Sequence, residues 1–294
     1  MNAIFLVFLG AFILVAYKLG MLAWRRLVKA EESYFKILFC GASTVLLTFA
    51  LVFVMFIDGG DVLFDNLVGI NLLQAMVSIG LLVILHFEVT WARIWSLLKK
   101  NKRYIIYPTF IFMIGIILGL ALENSVYELV TQQIEDLENI SGLSSDRPIW
   151  QIAVFIFGNN TKTAILIGIV LPLIPLIGGA YIIFSMLLNG AIVGVFGAIL
   201  DEPFLYFLVG ILPHGIFEVP GIIIAAAVGL RLNSMILFGI VAAFRDKGED
   251  ASKVLAYYIR EGMGSWDLMY LVLLLLLLAA LIESTITPIL LGIF

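Results

Sequence analysis

Apolar residues fill long runs of this chain, and the spacing of the polar residues between those runs predicts transmembrane helices. Runs of about 20 residues, enough to cross a hydrocarbon core about 30 Å thick, recur along the whole length. About eight spans are predicted, at residues 2–23, 37–57, 67–87, 104–122, 161–178, 180–200, 204–230 and 266–290. The predicted fold class is therefore all-α, a polytopic transmembrane helical bundle.

Three of these stretches carry signals for turns or breaks. The apolar run 161–200 would extend about 60 Å as one helix, so PLIPLIGG at 172–179 predicts a turn between two spans. Residues 148–157 are too short to cross alone, and they predict a short re-entrant or interfacial helix on the outer side. In span seven, LPHG at 212–215 predicts one broken helix, with Pro213 opening its second segment.

Composition supports a membrane protein and offers no sign of an enzyme. The chain is 63% hydrophobic and 13% charged, about half of the roughly 25% charged residues of soluble domains. A single cysteine, Cys40, excludes an intrachain disulfide. No motif of a hydrolase, nucleotide-binding loop or zinc site is present in the sequence. We therefore predict a non-enzymatic protein without a cofactor.

The basic residues predict the orientation of the chain in the cell membrane. The connections 18–36, 88–103 and 231–265 together hold nearly all lysines and arginines, which places them in the cytoplasm and both termini outside. An acidic outer loop is predicted at 123–147, and an amphipathic helix on the inner leaflet at 249–263. Since the basic residues follow the membrane surface, the lipid bilayer is the predicted partner and nucleic acid is not.

A histidine and a glutamate interrupt the apolar run of span seven. His214 and Glu218 are four residues apart and share one helix face. A charged side chain at mid-bilayer costs about 3 kcal/mol on insertion scales, so both are predicted to face the bundle interior. Glu283 and Asn189 are the favoured partners. The candidate buried polar site comprises His214, Glu218, Glu283, Asn189, Asn159, Asn160, Lys162 and Thr287, and the predicted helix breaks are Pro213, Gly215, Pro220 and Pro288.

Two interpretations of this polar site stay open. It is either an ion, proton or small-solute site of the kind that transporters build at a broken helix, or a hydrogen-bond network that fixes helix packing. No metal is assigned, although a metal held by only His214, Glu218 and Glu283 also stays open. The pairs Gly115/Gly119 and Gly190/Gly194 mark close helix contacts, within the bundle or between copies in a homo-oligomer.

Several motifs resemble the stage II sporulation protein M family. They are LPHGIFEVPGIIIAAAVGLRL at 212–232, FGNNTKTA at 157–164, LLNGAIVGVF at 187–196 and LIESTITP at 281–288. FIFMIGIILGLALE at 110–123 is similar to the first span of that family. The likeness covers roughly residues 104–294, which predicts a five-span core, whereas residues 1–103 form an additional three-span region.

The resemblance implies a function as well as a fold. The namesake of the family is a membrane scaffold that recruits cell-wall-degrading partners during engulfment in spore-forming bacteria, and it is not itself thought to be catalytic. We therefore expect a membrane scaffold or assembly factor with membrane or envelope proteins as partners. The alternative, drawn from the polar site, is a channel or secondary transporter for an ion or small solute.

Overall fold

The computed structural model describes residues 67–121, 149–199, 207–245 and 251–291, and nearly all of these residues are helical, with no β-strand among them. The predicted spans at 2–23 and 37–57 and the outer loop 123–147 lie outside the described residues. The described residues belong to two compact units: 67–90 with 149–161, and 91–121 with 162–291.

The helices follow the predicted apolar runs closely in most places. In chain order they are α1 (Leu67–Glu88), α2 (Trp91–Lys100), α3 (Lys102–Ala121), α4 (Ile149–Ile165), α5 (Ile177–Ile199), α6 (Leu212–Arg245), α7 (Ala251–Met263) and α8 (Leu268–Leu291). A π-helical segment, Leu166–Val170, and a 3₁₀ turn, Leu171–Leu173, extend α4, and a second π-helical segment, Phe207–Ile211, leads into α6.

Five segments of the described residues are long and apolar enough to cross a membrane. They are Lys102–Ala121, Ile149–Leu173, Ile177–Val195, Val209–Arg245 and Ala251–Leu290. The all-α class and the multiple membrane helices are thus confirmed. The predicted total of about eight spans is not confirmed.

The separate short helix predicted at 148–157 is wrong, because the chain continues as one 25-residue helical segment from Ile149 to Leu173. The polar residues near its middle do not end it. Thr161 returns its hydroxyl to the helix by donating to the Phe157 carbonyl at 2.7 Å. In an apolar environment an unbroken helix satisfies every backbone group, whereas a turn would leave some unpaired.

The turn predicted at 172–179 is present and tightly held. Leu176 has a positive φ of 64°, in the left-handed region, between the 3₁₀ turn and α5. Asn233 of α6 donates to the carbonyls of both Pro172 and Ile174 at 3.0 Å. A Cβ at Gly178 would lie 1.9 Å from the Leu171 carbonyl oxygen, so only glycine fits there. The side chain of Asn233 therefore replaces water as the partner of the turn.

The break predicted at LPHG is wrong, and so is the end predicted for span seven at residue 230. The π-helical turn Phe207–Ile211 runs directly into α6, which then continues for 34 residues to Arg245. The wider π turn accommodates the ring of Pro213, which in a regular helix would clash with a carbonyl one turn earlier. Pro220 also lies inside α6, and Pro288 lies inside α8.

The two glycine pairs pack against each other within one chain. Added Cβ atoms at Gly115 and Gly119 of α3 would lie 2.3 and 2.2 Å from carbonyl oxygens of α5. Gly190 and Gly194 of α5 face α3 in the same way, at 2.1 and 2.2 Å from its carbonyl oxygens. The close contact that the motifs predict is therefore made between α3 and α5, and association of two chains stays a prediction.

This contact between α3 and α5 gives a first testable prediction. We expect Gly119→Ala to lower the free energy of unfolding by about 1–3 kcal/mol, because the new methyl overpacks against backbone that cannot move aside. Gly197→Ala is the matched control, since its Cβ would meet only the Leu120 Cδ2 at 3.8 Å. Unfolding of both variants in detergent measures the difference. Equal stability of the two would contradict the tight α3–α5 contact.

Helix α7 packs against the second half of α6. A Cβ at Gly239 would lie 2.9 Å from the Tyr258 Cβ, and one at Gly262 would lie 2.9 Å from the Leu232 Cδ1. The amphipathic helix predicted at 249–263 is thus present over 251–263, with part of its apolar face covered by α6. Residues 249 and 250 lie outside the described residues.

A buried arginine joins α6 to α7 and to the junction of α2 and α3. Arg231 donates to the Asn101 Oδ1 at 2.9 Å, and to the Glu261 carbonyl at 3.0 Å and carboxylate at 2.8 Å. Lys100 adds a further contact to the same carboxylate at 2.7 Å. We call Arg231, Asn101, Glu261 and Lys100 the arginine network. It fixes three helical elements at one end of their unit.

Candidate functional site

Three of the predicted polar residues come together between α6 and α8. A ring nitrogen of His214, a carboxylate oxygen of Glu218 and a carboxylate oxygen of Glu283 all lie within 4.8 Å of one another. All three side chains are half-buried. We call them the His–Glu cluster, and their role as a binding site is taken up below as a proposal.

Close packing of α6 on α8 positions the cluster. A Cβ at Gly221 would lie 3.2 Å from the Leu276 Cδ2 and 3.5 Å from the Leu275 Cβ. His214 and Glu218 precede Gly221 on α6, whereas Glu283 follows Leu276 on α8. The two helices therefore run antiparallel, and the small residue at 221 lets their facing side chains meet. On the C-terminal side of the cluster, every residue of α6 from Gly221 to Gly229 is buried.

The two carboxylates of the cluster lie close enough to influence each other electrostatically. Two carboxylates that approach within a few ångströms repel each other when both are ionised, and a low-dielectric surrounding strengthens that repulsion. The Nδ1 of His214 is buried and has no hydrogen-bond partner among the residues that the structure describes. A cation among these three groups would relieve the repulsion and would give the imidazole nitrogen a partner.

Asn189 and Thr287 differ in how they relate to the cluster. The Asn189 amide donates to the Ser185 carbonyl on its own helix at 2.7 Å, so the predicted partnership with the cluster is not seen. Thr287 lies one turn beyond Glu283 on α8 and is only 7% exposed. Its hydroxyl has no partner within the described part of the chain. Of these two, Thr287 is the residue with unused hydrogen-bonding capacity.

Asn159, Asn160 and Lys162 are also part of the predicted polar site, and they fall where the predicted helix 148–157 would meet the predicted span 161–178. They lie in the middle of the continuous segment Ile149–Leu173 and are half-buried. Asn159 and Asn160 belong to one compact unit and Lys162 to the other. Gly215, predicted as a helix break with three prolines, lies inside α6 like Pro220.

Sequence reasoning missed the arginine network and the role of Asn233. Arg231 entered the prediction only as part of the basic connection 231–265, and Glu261 only as part of the predicted amphipathic helix 249–263, although Arg231 is 3% exposed. Nothing in the sequence pointed to Asn101.

Comparison with known proteins settles the family. Residues 109–288, more than half of the chain, match the family model of stage II sporulation protein M. The chain belongs to the stage II sporulation protein M family. The resemblance predicted from the sequence motifs is thereby confirmed. The match runs from α3 to Pro288 in α8, so it contains the whole His–Glu cluster.

The chain also matches a protein from an archaeon over more than half of its length. An uncharacterized protein of Methanocaldococcus jannaschii is 28% identical over 200 residues, which is 64% of this chain and 83% of that protein. No solved structure matches this stage II sporulation protein M family member.

Proposed function

We propose that this stage II sporulation protein M family member is a non-enzymatic membrane transport protein that moves a cation through the His–Glu cluster. The observation that carries the proposal is the approach of three ionisable side chains, from two membrane-crossing segments, to within 4.8 Å. Ionisable residues at membrane depth are costly, and in known membrane proteins they mark ion and substrate pathways.

Packing alone is a weaker account of these residues. Interhelical packing needs only neutral hydroxyl or amide groups, which satisfy one another without an ionisable group. Two glutamates and a histidine instead supply two negative charges and a nitrogen ligand at one place. The adjoining π-helical turn Phe207–Ile211 adds support, because such turns are frequent at functional sites and rare elsewhere.

Reconstitution of the full chain into liposomes tests the proposal. We expect uptake of a cation down an imposed gradient at a rate well above that of protein-free liposomes, with anions excluded. The panel contains Na⁺, K⁺, Mg²⁺, Mn²⁺ and Zn²⁺, each imposed separately with the others absent. A chain that inserts fully and passes none of these cations would overturn the proposal.

A membrane scaffold is the second candidate, and family membership favours it together with one exposed helix face. Ile106, Phe110, Met113 and Ile117 of α3 lie on the face opposite the glycine contact and are 50–65% exposed. Such a face fits lipid or the membrane helices of a partner.

A photoreactive amino acid on this face of α3 shows whether the face contacts a partner protein or lipid. Placed at Phe110, it is expected to form protein adducts in native membranes if the chain is a scaffold. The same group at the buried Phe112 is the control and should react only within the chain. Adducts with lipid alone at position 110 would contradict the scaffold role.

A further inference from the structure

We propose that the His–Glu cluster holds a divalent transition-metal ion of the Zn²⁺ class, with His214, Glu218 and Glu283 as its protein ligands. The inference builds on the proposed transport function, because it names the cation held at that same site. Metal binding is nevertheless measured without transport. It assigns a metal where the sequence alone assigned none.

The ligand set selects the class of cation. Ca²⁺ and Mg²⁺ take oxygen ligands, whereas an imidazole nitrogen suits Zn²⁺, Cu²⁺, Ni²⁺ and Fe²⁺. One histidine with two carboxylates leaves coordination positions open, as in zinc sites that keep an exchangeable ligand. The hydroxyl of Thr287, buried one turn along α8, or a water would complete such a set. An incomplete protein shell also suits an ion that must leave again.

The charge balance points the same way. Two ionised carboxylates and a neutral imidazole carry a net charge of −2, which a divalent ion cancels and a monovalent ion does not. In an apolar segment an uncompensated charge is the most costly outcome. A divalent ion therefore makes the whole cluster neutral at membrane depth.

The geometry requires only a small closure of the side chains. Four ligands about 2.0–2.1 Å from a tetrahedral zinc ion lie about 3.3 Å from one another. The ligand atoms here lie within 4.8 Å, so a shift of about 1.5 Å brings them to that separation. The proposed closure is a rotation about the side-chain bonds of the two glutamates. The Nδ1 of His214 has no hydrogen-bond partner among the described residues, so in the tautomer protonated at Nε2 it is available as a metal ligand.

Metal binding to the purified full chain tests the inference. The protein is prepared in detergent through a histidine-free affinity tag, stripped with a chelator and titrated with Zn²⁺ by calorimetry and with Co²⁺ by visible absorption. We expect one Zn²⁺ per chain, and Co²⁺ bands typical of low coordination number. His214→Gln should weaken Zn²⁺ binding at least about 100-fold, beyond the 10–100-fold of a change outside the ligand shell.

The chain contains its own control, because His86 is its other histidine. His86→Gln should bind Zn²⁺ like the wild type. His214→Cys keeps the inference testable if the glutamine variant folds poorly. Its thiolate should restore Zn²⁺ binding and add a sulfur-to-Co²⁺ charge-transfer band. Size-exclusion profiles and melting temperatures confirm that the variants are folded.

The outcomes separate the metal site from transport. Absence of Zn²⁺ binding, or equal binding by the wild type and His214→Gln, overturns the inference. Glutamate-dependent flux of monovalent cations in a protein that binds no Zn²⁺ overturns the inference and supports the transport function. Binding of Zn²⁺ at the cluster with no cation crossing the membrane supports the inference and overturns transport.

Discussion

Glu218→Gln is expected to abolish cation flux and to leave the protein folded. Glutamine has the shape of glutamate and keeps its hydrogen-bonding capacity, but it carries no charge. A charge at mid-bilayer is worth about 3 kcal/mol, which corresponds to about a hundredfold in an equilibrium constant. We therefore expect flux to fall by about a hundredfold, measured in liposomes at equal inserted protein, with an unchanged melting temperature in detergent.

The control for this experiment lies on the facing helix at the same level. Thr285 of α8 is exposed, and its hydroxyl donates to the Leu281 carbonyl of its own helix. Thr285→Val should leave flux at the wild-type rate. Normal flux in Glu218→Gln would instead identify the cluster as a hydrogen-bond network that fixes helix packing.

The largest expected effect on stability comes from Arg231→Met. The arginine side chain is 4% exposed, and its removal leaves the Asn101 Oδ1 and the Glu261 carbonyl without their donor. Each such loss costs about 1–3 kcal/mol, whereas the ion pair itself contributes little because the Glu261 side chain is 41% exposed. We expect the free energy of unfolding to fall by about 2–4 kcal/mol, measured by denaturant unfolding in detergent micelles.

Arg260→Met tests whether this loss is specific to the buried position. Arg260 lies in α7 directly before Glu261, but its side chain is exposed. Its replacement removes the same charge and should change stability by no more than about 0.5 kcal/mol. Equal losses for Arg231→Met and Arg260→Met would show that net charge, and not the arginine network, stabilises this end of the protein.

Much of the helical architecture could be predicted from the sequence because lipid imposes a simple rule. A span needs about 20 apolar residues, and the predicted spans 67–87, 104–122 and 266–290 differ from α1, α3 and α8 by only a few residues at either end. The turn at PLIPLIGG was equally predictable, since 40 apolar residues cannot cross the membrane once.

The errors arose where proline, glycine and polar residues were read as breaks. In water they often end a helix, but in an apolar environment the backbone gains more from continuing. The chain accordingly widens to a π turn before Pro213 instead of breaking at LPHG. It also carries Asn159, Asn160 and Lys162 through α4 without a turn.

The His–Glu cluster was predictable in part. The i, i+4 spacing of His214 and Glu218 placed them on one face, and the cost of an unpaired charge required a partner on another helix. Which partner could not be read from the sequence, because the choice between Glu283 and Asn189 depends on how closely α6 approaches α8. The close approach at Gly221 decides it.

A double-mutant cycle on cation flux tests most directly whether the cluster acts as one site. Flux is measured for the wild type, Glu218→Gln, Glu283→Gln and the double variant at equal insertion into liposomes. Residues that act as a unit are strongly non-additive, so the account predicts that both single variants and the double variant share the same low residual flux. Wild-type flux in either single variant, or a loss in the double variant equal to the product of two partial losses, would contradict it.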